Sequence, residues 1–170
     1  CVGQALPHVV HFIRVNQPSL MACALPTQQH RPMAFKILIV DDSAQVRASL
    51  IGLLERIAGV DAIDQAASLA QAVLRIQLQP PALVVLDLRL PDGLGCDLIP
   101  ILKRHEPGIR IAILTFHADD SYRKKCLALG SHWFFDKATQ CDDLFEVIQQ
   151  EAKLNASIGG DRQQDRPQLP

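Results

Sequence analysis

The 170-residue sequence predicts an α/β fold: a doubly wound, five-stranded parallel sheet with strand order 2-1-3-4-5 and five helices. Three observations carry that expectation. Short apolar runs alternate with stretches whose apolar residues recur at helical spacing. The central runs are apolar at successive positions, as strands covered on both faces are. Polar residues follow several of those runs directly.

"FKILIV" (35–40) reads as a buried first strand, and Val46, Leu50, Leu53, Leu54 and Ile57 then fall at helical spacing. "VDAIDQA" (60–66) is the second strand, and Ser68 with Gln71 forms a capping-box start for a helix through about Gln77. "ALVVLDL" (82–88) suits a central parallel strand. "LPDGLG" then makes a turn, and a third helix runs from about Leu98 to His105, where Pro100 is tolerable only in the first turn. "IRIAILTF" (109–116) is the fourth strand. The helix after it, near Ser121 to Leu129, is ended by Gly130 in a left-handed cap. "SHWFF" (131–135) is the fifth strand, and Thr139 with Asp142 starts the last helix, with Leu144, Val147 and Ile148 inward.

With 48% hydrophobic residues the chain can build one sizeable core and not comfortably two. The expected division is an N-terminal extension over 1–32, disordered or artefactual, one domain over 33–154, and a disordered tail over 155–170. The tail has almost nothing to bury. Met33, just ahead of the first strand, suggests a natural start there. The apolar patch Val9 to Val15 is too short to span a membrane. Seventeen Lys and Arg against eighteen Asp and Glu produce no global field for nucleic acid or an anionic membrane. Five cysteines without CxxC or Cys/His metal spacing point to free thiols in a reducing cytoplasm.

Doubly wound sheets bind ligands outside the carboxyl ends of their strands. The first strand ends in Asp41 and Asp42, the third in Asp87, the fourth in Thr115, and the fifth runs out to Lys137. With the order 2-1-3-4-5 these groups converge. Three carboxylates within about 5 Å would repel by roughly 3 kcal/mol per ionised pair at an effective dielectric near 20. A divalent cation relieves that repulsion, and oxygen-only ligation suits Mg²⁺. A carboxylate beside Mg²⁺, a lysine and a hydroxyl is also equipment for phosphoryl transfer to aspartate. Taken singly these residues have plainer readings: Asp41 or Asp42 as a helix cap competing with Ser43, Thr115 as a strand residue, and Lys137 as a solvated lysine.

"ILIVDDS", "VVLDLRLPDGLG", "ILTFH" and "LGSHWFFDK" resemble the four signature segments of a bacterial two-component response-regulator receiver domain, over about Phe35 to Leu154. The resemblance implies a flavodoxin-like architecture. It implies Asp87 as phosphoacceptor, Asp41 and Asp42 as the acidic Mg²⁺ pair, and the backbone carbonyl of Arg89 as a further metal ligand. Thr115 and Lys137 would hold the phosphoryl oxygens, and Phe134 occupies the aromatic switch position. A histidine kinase or a histidine phosphotransfer protein would supply the phosphoryl group. The signal would leave by the surface of the fourth helix, fifth strand and fifth helix, toward an unnamed downstream protein.

Such a chain is no turnover enzyme, since it catalyses only its own aspartyl phosphorylation and dephosphorylation. No helix-turn-helix segment follows the last helix, so the expectation is a stand-alone, chemotaxis-regulator-like receiver in the cytoplasm, without DNA or membrane contact. The alternatives are a degenerate receiver that binds partners without phosphorylation and, more weakly, a Mg²⁺-dependent phosphatase or a flavin binder. The last needs a glycine-rich loop that "DDSAQVRAS" lacks. Three departures from the family pattern stand out. Phe116 replaces the small residue frequent after the threonine and narrows access to Asp87. Ala138 replaces the frequent proline, and Arg89 adds a positive side chain two residues past Asp87. His117 is near enough to Thr115 to tune phosphoryl lifetime. Arg123, Lys124 and Lys125 read as a solvated helix face.

Overall fold

The computed structural model describes residues 34–160, so the expectation for residues 1–32 lies outside the described residues. The elements follow in chain order: β1 (Lys36–Val40), α1 (Ala44–Leu54), β2 (Ala62–Ala66), α2 (Leu69–Leu78), β3 (Leu83–Leu86), β4 (Arg89–Leu90), β5 (Gly93–Leu94), a 3-10 turn (Gly95–Leu98), α3 (Ile99–His105), β6 (Arg110–Thr115), α4 (Asp120–Leu129), β7 (Trp133–Asp136) and α5 (Cys141–Gly160). The main sheet has the order β2-β1-β3-β6-β7 with every pairing parallel, which is the expected 2-1-3-4-5 sheet. β4 and β5 form a separate two-residue antiparallel hairpin where a plain turn was expected.

Alternation of side chains along each strand divides the core into two layers. Leu38, Val40, Val84, Leu86, Ile111, Ile113 and Phe134 face α2, α3 and α4, meeting Ala72, Ile76, Ile99, Leu102 and Cys126. Ile37, Ile39, Leu83, Val85, Ala112, Leu114 and Phe135 face α1 and α5, meeting Leu50, Leu54, Leu144, Ile148 and Ala152. The apolar strands are continuous runs because both faces are covered.

Local signals end the helices largely where expected. Ser43 caps α1 through Val46 N–H, and Ser68 caps α2 through Gln71 N–H. The Gln71 side chain accepts from Ala67 N–H, one residue beyond the N-cap N–H that the standard capping box uses. Pro100 sits in the first turn of α3, and Gly130 ends α4 at φ +107°. Three expectations change. Leu53 is 46% exposed, so it is no core residue. The last helix begins at Cys141, with Leu144 N–H bonded to Gln140 C=O, so Thr139 is not its cap. The boundary at 154 falls inside α5, which continues to Gly160. No proline or glycine interrupts the helix before Gly159, and Ser157 bonds back to the Lys153 carbonyl.

Candidate functional site

Three of the candidate site residues have their backbone placed by a hydrogen bond that extends the sheet ladder one step past a strand end. Asp41 N–H donates to Ala66 C=O at 3.1 Å, Asp87 N–H to Val40 C=O at 2.9 Å, and Lys137 N–H to Thr115 C=O at 2.9 Å. Because β1, β3, β6 and β7 are adjacent, their polar ends meet.

Lys137 Nζ lies 2.6 Å from Asp41 Oδ2 and 2.8 Å from Asp87 Oδ2, with the side chains of all three nearly closed off from water. One ammonium thus compensates two carboxylates in a poorly solvated place, where charge-assisted hydrogen bonds are strong. The remaining carboxylate oxygens are also partnered: Asp41 Oδ1 accepts from Ser43 N–H at 2.9 Å and Asp87 Oδ1 from Leu88 N–H at 2.7 Å. Asp42 is exposed beside them, and carboxylate oxygens of Asp41, Asp42 and Asp87 lie within 4.8 Å of one another. Three acidic groups against one lysine leave negative charge in surplus, and all the donors are oxygens. That donor set fits Mg²⁺.

Ser43, and neither aspartate, caps α1, so the acidic pair is free of that duty. Thr115 is fully buried, and its Oγ1 accepts from His117 N–H at 3.1 Å, which leaves the hydroxyl proton available for donation. Arg89 opens β4 and is exposed. Phe134 is buried at 4% exposure and points into the layer beneath α4.

Four residues that sequence reasoning missed or misread support this cluster. Arg47 Nη1 donates to the carbonyls of Asp41 at 2.6 Å and Asp42 at 3.1 Å, while its Nε donates to Gln65 Oε1 at 3.0 Å. Helical side chains lean toward the N-terminus, so an arginine one turn into α1 can reach the chain that precedes it. Gly95 N–H donates to Leu88 C=O at 2.8 Å and brings the 3-10 turn against Asp87. Asp92, at the tip of the hairpin, accepts from Leu69 and Ala70 N–H at 2.9 Å each. Those backbone donors hold its carboxyl below the usual range, and they tie the hairpin to the start of α2. Arg123 is not a solvated residue: its Nη1 donates to Phe134 C=O at 3.0 Å and its guanidinium stands 4.8 Å over the Phe134 ring.

The model of the response regulator receiver domain family matches residues 37–149. The chain belongs to that family. It is similar to the DNA-binding transcriptional activator DevR/DosR of Mycobacterium tuberculosis, with 34% identity over 66% of this chain and 52% of that protein. The photosynthetic apparatus regulatory protein RegA of Cereibacter sphaeroides is 29% identical over 66% of this chain and 60% of its own length. This receiver therefore spans little more than half the length of these relatives. Among solved structures it resembles a CheY-like response regulator receiver domain protein from Methanospirillum hungatei, with TM-score 0.65 and 25% identity over 73% of this chain and 98% of the other. Receiver domains are generally non-enzymatic phosphorylation-signalling modules of two-component systems, with Mg²⁺ bound at an acidic pocket. Among the described residues no helix is long and apolar enough to cross a membrane.

Proposed function

We propose that this receiver is a phosphorylation-dependent switch of a cytoplasmic phosphorelay, with Asp87 as the residue that takes the phosphoryl group from a histidine kinase or histidine phosphotransfer protein. The observation that carries this reading is Lys137 bridging Asp41 and Asp87 at 2.6 and 2.8 Å beside a third carboxylate. In the reaction an Asp87 carboxylate oxygen bonds to phosphorus as the phosphorus–nitrogen bond of the donor histidine breaks, and the histidine keeps the electron pair. Asp41, Asp42, Asp87 and the Arg89 backbone carbonyl would hold Mg²⁺. When bound, that ion supplies positive charge to the phosphoryl oxygens. Lys137 stays beside Asp87 to neutralise the transferred group, and the Thr115 hydroxyl donates to it.

The modification replaces one carboxylate charge by about −1.5 to −2 and adds strong acceptor oxygens. Thr115 moves toward them, and Phe134 takes up the room it leaves. Arg123 holds both the Phe134 ring and its carbonyl, so that displacement reaches α4. The surface of α4, β7 and α5 then carries the signal to a protein partner, and this segment makes no DNA contact of its own.

Intact-mass spectrometry after acetyl phosphate plus Mg²⁺ tests the reading, with Asp87→Asn as control. A single phosphoryl adduct absent from the variant supports it. If neither acetyl phosphate nor any candidate kinase produces an adduct, the chain is a degenerate receiver that signals by binding alone.

A further inference from the structure

Phe116 follows Thr115 directly at the end of β6, yet its side chain does not enter the core: it is 64% exposed, among the most exposed large apolar side chains of the described residues. The ring lies instead over the polar end of the sheet. Its centroid lies 5.4 Å from Lys137 Nζ, within range of a cation–π contact, on the same ammonium that bridges Asp41 and Asp87. The Lys137 side chain is 5% exposed although it stands at the open end of the sheet, where strand-end groups ordinarily meet water. Phe116 and Lys137 themselves form part of the wall of an open cleft of about 270 Å³, whose remaining lining is mainly apolar and includes Val46, Leu53, Leu114, Cys141 and Phe145.

We propose that Phe116 is a positioning residue of the phosphoacceptor site, a cover whose ring holds the Lys137 ammonium against Asp41 and Asp87 and screens it from water and small phosphodonors. The effect on phosphoryl chemistry rests on the function proposed above, whereas the cover over Lys137 does not. In the hydrolysis that ends the signal, water adds to phosphorus and the phosphorus–oxygen bond to Asp87 breaks. The electron pair returns to the carboxylate, and the proton leaves with inorganic phosphate. A ring over Lys137 obstructs the approach of that water, and it obstructs acetyl phosphate in the same way. Rotation of the ring into that cleft would admit the larger, docked donor.

The test compares wild type, Phe116→Ala and Phe116→Leu in two measurements on the full chain. In the first, amine acetylation by an N-hydroxysuccinimide ester is followed by mass spectrometry of the peptide carrying Lys137, with exposed lysines as internal standards. The alanine variant should label Lys137 about fivefold faster or more, the factor that corresponds to a contact of this strength. The leucine variant, which keeps bulk and loses the ring's π-face, should fall between. In the second, phosphoryl uptake from acetyl phosphate and the subsequent loss of the adduct should both be faster in Phe116→Ala. Unchanged Lys137 labelling overturns the cover. Faster labelling with an unchanged phosphoryl lifetime overturns the screening of water. Faster labelling in a protein that forms no adduct from any donor upholds the cover and refutes the phosphoacceptor reading, so the two failures are distinguishable.

Discussion

Gly95 packs so closely on Asp87 that a Cβ at position 95 would stand 1.9 Å from the Asp87 carbonyl oxygen. No side chain fits there, and the obstacle is backbone that cannot swing aside. Gly95→Ala should therefore push the 3-10 turn off Asp87, costing about 3 kcal/mol as an overpacked buried site does. Urea unfolding should show a lower midpoint at constant slope. A midpoint equal to wild type would mean that the turn relaxes without disturbing Asp87.

Lys137→Met removes the one ammonium that pairs with both Asp41 and Asp87 among the described residues and leaves two buried carboxylates facing each other. Without divalent metal the variant should be less stable than wild type by about 3 kcal/mol, the usual consequence of breaking a buried pair. Added Mg²⁺ should restore part of the loss, because it neutralises the same oxygens. Equal destabilisation with and without Mg²⁺, measured by chemical denaturation, would count against a metal at these carboxylates.

Arg123→Ala should loosen α4 from β7, since it deletes both the hydrogen bond to Phe134 C=O and the stacking over its ring. The expected cost is about 1–2 kcal/mol. Amide hydrogen exchange should accelerate over residues 120–129 more than elsewhere. Uniform acceleration across the sheet would argue against a local latch.

His132 Nδ1 accepts a hydrogen bond from Ile111 N–H at 3.1 Å, which requires the neutral ring at that nitrogen. Burial, with Lys103 and Arg110 nearby, pushes its pKa below the ordinary 6.5. The sign follows from proton binding: between the lowered folded value and 6.5 the unfolded chain holds more protons, so stability declines as pH falls through 6.5. Thermal midpoints of wild type and His132→Asn should diverge least at acidic pH and most above pH 7. A gap that is constant between pH 5.5 and 7.5 would remove His132 from the acid response.

The sheet was legible because its signals are local and redundant. "KILIV", "LVVL" and "RIAILT" can lie only where both faces are covered, and Ser43, Ser68 and Gly130 mark helix ends by chemistry that acts within a few residues. Asp41, Asp87, Thr115 and Lys137 were legible for the same reason. Each ends a strand, and the topology of a doubly wound sheet brings such ends together.

What depends on distant parts of the chain was not legible. Leu53 has the right spacing for the core, but the cylinder of α1 turns it to water beside Phe116. Arg123 looks like one of three solvated cations until β7 is placed beneath α4, and Asp92 looks like a turn residue until α2 presents its free N–H groups. The closeness of Gly95 to Asp87 and the seat of Phe116 over Lys137 arise only when the hairpin and two strand ends are packed. Sequence by itself determined which residues end each strand, because backbone pairing and burial are set by short-range patterns. Tertiary structure alone decided which side chains face one another across those ends, because that contact depends on distances between segments up to 96 positions apart in the chain.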